Sequence, residues 1–107
     1  MTELEWDRVF ALEQAGEDEE ILAELLTLFR ESSLADLNKI KEGIAREDPR
    51  GMADAAHSIK GAAASLGIEA IRKVAAEIEQ TGRTGQLAGG EKITALSNLL
   101  VLSEQLS

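Results

Sequence analysis

The chain reads as all-α: an antiparallel four-helix bundle with a short N-terminal helix packed across it. Three observations lead there. Apolar residues recur at helical spacing through almost the whole length, and no segment alternates as a half-buried strand does. Breaks fall at Gly16–Asp18, Asp48–Pro49, Gly67 and Gly82, dividing the pattern into lengths that suit bundle helices. At 107 residues without a cysteine, there is material for one modest core in a single domain, 1–107, and no disulfide framework to replace it.

Thr2 and Glu5 have capping-box spacing, so a first short helix is expected from there, with Leu4, Trp6, Val9 and Phe10 as its apolar residues. Gly16 to Asp18 ends it. Asp18, Glu19 and Glu20 then place negative charge where a helix N-terminus favours it. Leu22, Leu25, Leu26, Phe29, Ser33, Leu37, Ile40 and Ile44 carry one stripe as far as Arg46. Ser32-Ser33 could bend or divide this run, although no proline or glycine forces a break, so one bent helix and two shorter ones both remain open.

Asp48-Pro49 is a strong helix start, a capping aspartate followed by proline in the first helical position. That helix runs to about Gly67. Ile68, Ile71, Val74, Ala75 and Ile78 define the next, expected to stop at Thr81-Gly82. Residues 82–90, with glycines at 82, 85, 89 and 90, form the one extended loop candidate, part of which could be helical. Ile93, Leu96, Leu99, Leu100 and Leu102 make the last amphipathic helix.

Charge narrows the function. The net charge is −9, which opposes nucleic-acid binding. Residues 1–48 carry 14 acidic and 5 basic side chains, whereas residues 49–107 carry 6 of each. The second half is therefore balanced and tolerant of an anion near Arg50, Lys60, Arg72 and Lys73. With one histidine and no cysteine, a multi-histidine or thiolate metal site is out of reach. No leader pattern or membrane-length apolar run is present, so a cytoplasmic protein is expected. Phosphate-loop, dinucleotide and kinase signatures are missing, as is the equipment of a serine hydrolase around Ser58 and Ser65.

The single histidine, His57, is the most informative residue. Met52, Ala56, Ile59, Ala63 and Leu66 share one stripe of its helix, and His57 lies roughly 150° from the middle of that stripe. Its surface neighbours are Arg50, Ala53, Asp54, Lys60, Gly61, Ala64 and Ser65. Glycine on an exposed helical turn costs roughly 1 kcal/mol relative to alanine. Small residues there leave the imidazole uncovered for a macromolecule to approach. A helical adaptor or dimerisation bundle would explain the amphipathic stripes and the acidity, but not this spacing.

The run Ala56-His57-Ser58-Ile59-Lys60-Gly61-Ala62-Ala63-Ala64-Ser65-Leu66-Gly67 resembles the signature of histidine-containing phosphotransfer (HPt) domains of bacterial multistep phosphorelays. The opening Leu4-Glu5-Trp6-Asp7, the acidic start of the second helix, Phe29 and the Glu79 region are similar to the family too. The resemblance implies a relay carrier rather than an enzyme. His57 would take a phosphoryl group from a receiver-domain aspartate and pass it to another receiver. Lys60 would offset charge on the phosphoryl oxygens, and Gly61 would leave room for the group and its donor. Glu79, or Gln80 one register away, would hydrogen-bond the other ring nitrogen.

The implied partners are the receiver domains of a hybrid histidine kinase and a response regulator. They would dock on the His57 helix around Ala53, Gly61 and Ala64. The chain would be a monomer with no cofactor of its own, the receiver bringing Mg²⁺. Asp54 departs from the pattern by putting negative charge beside His57, unless Arg50 or Ser58 pairs with it. The phosphorylated N-terminal module of a chemotaxis-type kinase is the neighbouring alternative. A start at Met1 and an end at Ser107 fit a free-standing protein, with an excised domain still open.

Overall fold

The computed structural model describes residues 3–107. Five helices follow in order: α1 Arg8–Gln14, α2 Glu19–Ala45, α3 Pro49–Ser65, α4 Glu69–Arg83 and α5 Gly90–Ser103. The last four form the antiparallel bundle, and α1 lies against α2 at one end. No helix is long and apolar enough to cross a membrane among the described residues.

Helix α2 is a single 27-residue helix, about 40 Å long at 1.5 Å per residue, and it runs nearly the full 42 Å of the molecule. The serine pair does not divide it. Ser32 Oγ bonds back to the Phe29 carbonyl at 3.2 Å, so the hydroxyl is satisfied within the helix. Its apolar stripe faces the core, with Leu22, Leu26, Phe29, Leu37 and Ile40 buried and Leu25 and Ile44 packed at the edge. Against it stand Met52, Ile59, Ile71, Ile78 and Leu96, all fully buried. Each such side chain stabilises the fold by about 1.5–3 kcal/mol relative to exposure.

The helix ends obey their local chemistry. Asp18 accepts from the Glu20 and Ile21 amides, and Asp48 accepts from the Gly51 amide at 3.0 Å with Pro49 at the first position. Gly16 and Gly67 both adopt φ of 68°, which suits glycine. At Gly67 a Cβ would also lie 3.0 Å from the Asp7 carbonyl, so the turn between α3 and α4 is crowded as well as left-handed.

The N-terminal segment differs from its sequence reading. Thr2 lies outside the described residues, and Glu5 sits at φ 51° ahead of the helix. Asp7 is the cap of α1, accepting from the Phe10 amide at 3.0 Å. Because the helix starts later, its buried face is Ala11 and Ala15, while Val9 is 71% exposed and Phe10 only partly covered.

The preceding residues instead run beside the α3–α4 turn. The Asp7 backbone amide donates to the Gly67 carbonyl (2.9 Å), the Trp6 indole donates to the Leu66 carbonyl (3.0 Å), and the Ala70 amide donates to the Leu4 carbonyl (3.0 Å). Ile68 gives α4 no side-chain cap. The carbonyls of Leu4 and Glu5 therefore serve its first free amides, a long-range substitute for a capping side chain.

Gly82 is the other correction. It does not stop α4, which continues to Arg83 and closes through Thr84 and Gly85 at φ 83°. Gly82 is buried inside the helix, where a Cβ would lie 2.5 Å from the Pro49 carbonyl and 2.7 Å from the Ala53 Cβ. On the opposite side Gly43 of α2 leaves equally little space against the Met52 amide, 2.8 Å. The start of α3 is thus clasped between two glycines. The true loop is residues 84–89, pinned by Ala88, whose amide contacts Met52 Sδ at 3.4 Å.

Gly82→Ala should lower stability by about 1–3 kcal/mol, because the methyl meets backbone that cannot yield. Intrinsic helix propensity alone predicts a gain of about 1 kcal/mol. Urea denaturation distinguishes the two, and a stabilised variant would refute the close-contact reading.

Candidate functional site

The short α3–α4 turn folds the two helices into a hairpin that brings residues 54–60 level with residues 79–83. His57 projects from the outer side of α3, its side chain 61% exposed. Beneath it lies Glu79 of α4, only 12% exposed. His57 Nδ1 and Glu79 Oε2 are 2.9 Å apart. Lys60, one turn along α3, places its Nζ 2.5 Å from Glu79 Oε1. Arg83, one turn along α4, reaches Glu79 Oε2 at 3.4 Å and Asp54 Oδ1 at 2.8 Å.

Glu79 governs the electrostatics of this group. Burial pushes its carboxyl pKa up, but hydrogen bonds from Lys60 and His57, together with their charges, outweigh that and hold it below the ordinary 4.5. Glu79 is accordingly a carboxylate at neutral pH and can only accept. The His57 nitrogen facing it must carry the proton. In the neutral ring the lone pair is then on Nε2, the outer nitrogen.

Space around the ring matters equally. Gly61 is exposed, and a Cβ built on it meets nothing within 4 Å. No packing demand in this fold accounts for glycine there. Ala64 is exposed beside it, but Ala53, expected on the same open surface, is fully buried against Gly82. Its small size serves the helix contact and not an approaching partner. On the α2 side an apolar groove of about 420 Å³ follows α3, lined by Leu25, Leu28, Phe29, Ala62 and Leu66 with polar Gln14, Ser32 and Ser65.

The residues singled out from the sequence thus fall together: His57, Lys60 and Glu79 in one hydrogen-bonded group, with Gly61 alongside. Gln80 is exposed and takes no part, since the bond to the ring comes from Glu79. Two features escaped the sequence reading. Arg83 joins the group from within what looked like loop, and it, not Arg50 or Ser58, is the partner of Asp54. Arg83 lies four residues after Glu79, so a helix continued past Gly82 would have put both on one face.

The family model for the Hpt domain matches residues 24–106. The chain belongs to the Hpt domain family. Its function is histidine phosphotransfer in phosphorelays. The Hpt fold is shared with solved structures at low identity. The crystal structure of histidine-containing phosphotransfer protein B (HptB) from Pseudomonas aeruginosa PAO1 is 20% identical with a TM-score of 0.87, covering 98% of this chain and 92% of that one. The HPT domain of an Hpt sensor hybrid histidine kinase from Shewanella is 21% identical with a TM-score of 0.74, covering 92% and 86%. No curated relative matches. The Hpt model begins at residue 24, within α2, so the capping segment and α1 lie outside the match.

Glu79 also makes a testable contribution to stability. Its pKa is lowered in the fold, so its stabilisation is complete above the unfolded value of 4.5 and disappears as pH falls through the lower folded value. The stability difference between wild type and Glu79→Gln should therefore be largest near neutrality and shrink below 4.5. Urea melts at about pH 7 and about pH 3.5 measure it. A difference equal at both would show that the carboxylate charge contributes nothing.

Proposed function

We propose that His57 Nε2 is the phosphoryl acceptor of this Hpt domain. The observation that carries the reading is the bond from His57 Nδ1 to an ionised, mostly buried Glu79, which leaves the lone pair on the outward nitrogen of an exposed ring. The donor is the aspartyl phosphate of a receiver domain. As Nε2 forms its bond to phosphorus, the bond from phosphorus to the aspartyl oxygen breaks, and the electron pair remains with the receiver's carboxylate. No proton has to leave. The ring keeps its Nδ1 proton, becomes a cationic phosphoimidazole, and Glu79 offsets that positive charge. Transfer to a second receiver is the reverse reaction on another aspartate.

Phosphoryl transfer relies chiefly on alignment and charge neutralisation. Glu79 aims the ring, Lys60 supplies a cation one turn away, and Gly61 leaves space for the incoming phosphate and its carrier. The receiver contributes the aspartate and the Mg²⁺ bound beside it, so the domain acts as a carrier that is modified and restored. The receiver would dock on the exposed side of α3 at His57, Gly61 and Ala64, with its apolar contacts in the groove between α2 and α3.

Phosphorylated receiver should label the wild-type protein with an acid-labile phosphoryl group. His57→Gln should abolish the label while moving stability by under about 0.5 kcal/mol, as expected for an exposed side chain. Undiminished labelling of that variant would overturn the assignment. Gly61→Gln should fold, since the structure has open space there, and should rise in stability by up to about 1 kcal/mol through helix propensity. Its transfer should nevertheless be strongly slowed. Wild-type transfer by a folded Gly61→Gln protein would refute the steric role.

A further inference from the structure

Lys60 is assigned to phosphoryl oxygens by the reading above, yet in the unmodified protein it is already engaged. Its ammonium lies 2.5 Å from Glu79 Oε1. Phosphorylation of His57 would place about two negative charges on the outer side of the same imidazole. Lys60 is one helical turn from that position, only 32% exposed, on a flexible four-carbon stem. If it turned outward to the phosphoryl group, the mostly buried Glu79 would lose the cation on its Oε1 and keep only the ring's charge, on Oε2.

A second cation is already within reach. Arg83 touches Glu79 Oε2 at 3.4 Å, a long contact, while its principal bond is the 2.8 Å one to Asp54. The guanidinium's pKa is raised first by that Asp54 bond and only secondarily by Glu79. In the unmodified state Arg83 is thus held beside Glu79 without being its main partner. It sits one turn along α4 from Glu79, and a small rotation about its side chain would shorten the contact. The charged and titratable groups of the assembly are Asp54, His57 and Lys60 on α3, and Glu79 and Arg83 on α4.

We propose that Arg83 is a reserve counter-ion: it takes over Glu79 when Lys60 moves to the phosphoryl group of phosphorylated His57, and Asp54 keeps it poised to do so. Arg83 is a positioning residue, acting on the reacting atoms only through Glu79 and Lys60. The departure at Asp54 acquires a role by this account. Its negative charge is matched by Arg83 and does not stand unpaired next to the acceptor. Glu79 remains ionised in both states, the Nδ1 proton stays in place, and Lys60 is free to serve whichever anion is larger.

This inference rests on His57 being the acceptor, and the experiment separates the two. Wild type, Arg83→Gln, Arg83→Lys and His57→Gln are each equilibrated with a phosphorylated receiver, and the division of phosphoryl group between the partners is measured. The Lys60 ammonium is followed by NMR before and after phosphorylation. In wild type the Lys60 signal should shift on phosphorylation. In Arg83→Gln that shift should be reduced, and the equilibrium should move toward the receiver by about tenfold, the weak end of a charge-assisted hydrogen bond. Arg83→Lys should recover most of both effects.

A merely structural Arg83 would lower stability slightly, as exposed ion pairs do, without touching either readout. If wild type is labelled at His57 but Arg83→Gln matches it in equilibrium and Lys60 shift, the reserve role is wrong and the acceptor stands. If His57→Gln is labelled as wild type is, the acceptor assignment falls and the inference falls with it.

Discussion

The close seating of α3 on α4 is the constraint on which the remainder depends. Gly82 admits the Pro49 carbonyl and the Ala53 methyl to distances that any side chain would prevent, and Gly43 does the same for the Met52 amide from α2. With the first turn of α3 clasped in this way and its end closed by the left-handed Gly67, neither the offset nor the rotation of the α3–α4 hairpin is free. That offset puts a carboxylate of α4 directly under the imidazole of α3. A shift of one residue in α3 would rotate His57, and one in α4 Glu79, by about 100° and break the contact.

The site joins this rigid frame to loosely covered chemistry. Its imidazole is exposed, but the group that sets the ring's tautomer is mostly buried and hydrogen-bonded on both oxygens. The exposed part can be reached by a partner, and the buried part fixes which ring nitrogen carries the proton. Such a division suits a relay. On the proposed reading the lone pair of the neutral ring already points outward, so the carrier adds no general base of its own to the transfer.

The N-terminal segment completes the frame in a way that helix propensity does not convey. Residues 4–7 lie along the α3–α4 turn and hand their carbonyls to the uncapped start of α4, while the Trp6 indole holds the Leu66 carbonyl. The turn that fixes the hairpin is thereby fastened from outside. The Hpt family model starts only at residue 24, so this fastening belongs to the part of the chain beyond the matched region. Its physical work, satisfying amides that would otherwise be free at a helix start, needs backbone oxygens and an extended conformation more than any particular side chains.

Much of this was legible in the sequence, because period and local chemistry are recorded residue by residue. The all-helical class, the inward stripe of α3 and the outward phase of His57 follow from spacing, and the Asp48-Pro49 start from capping chemistry, while spacing left residues 18–46 open as one helix or two. The motif around His57 identified the family. What spacing cannot record is where a helix face lands on its neighbour. Residues 57 and 79, or 54 and 83, meet only because of how two helices are offset and rotated, and that is decided by the close contacts at Gly82 and Gly67. For the same reason Gly82 read as a helix stop and Thr2–Glu5 as a helix start. Glycine marks an end in isolation but a crossing point when another helix presses on it, and a capping pattern yields when tertiary hydrogen bonds claim the same backbone. Sequence alone determined the outward phase of His57 and Gly61, but not that of Ala53, Val9 or Phe10; packing decided those and which side chains touch, because contact between helices depends on distances the period of one helix does not contain.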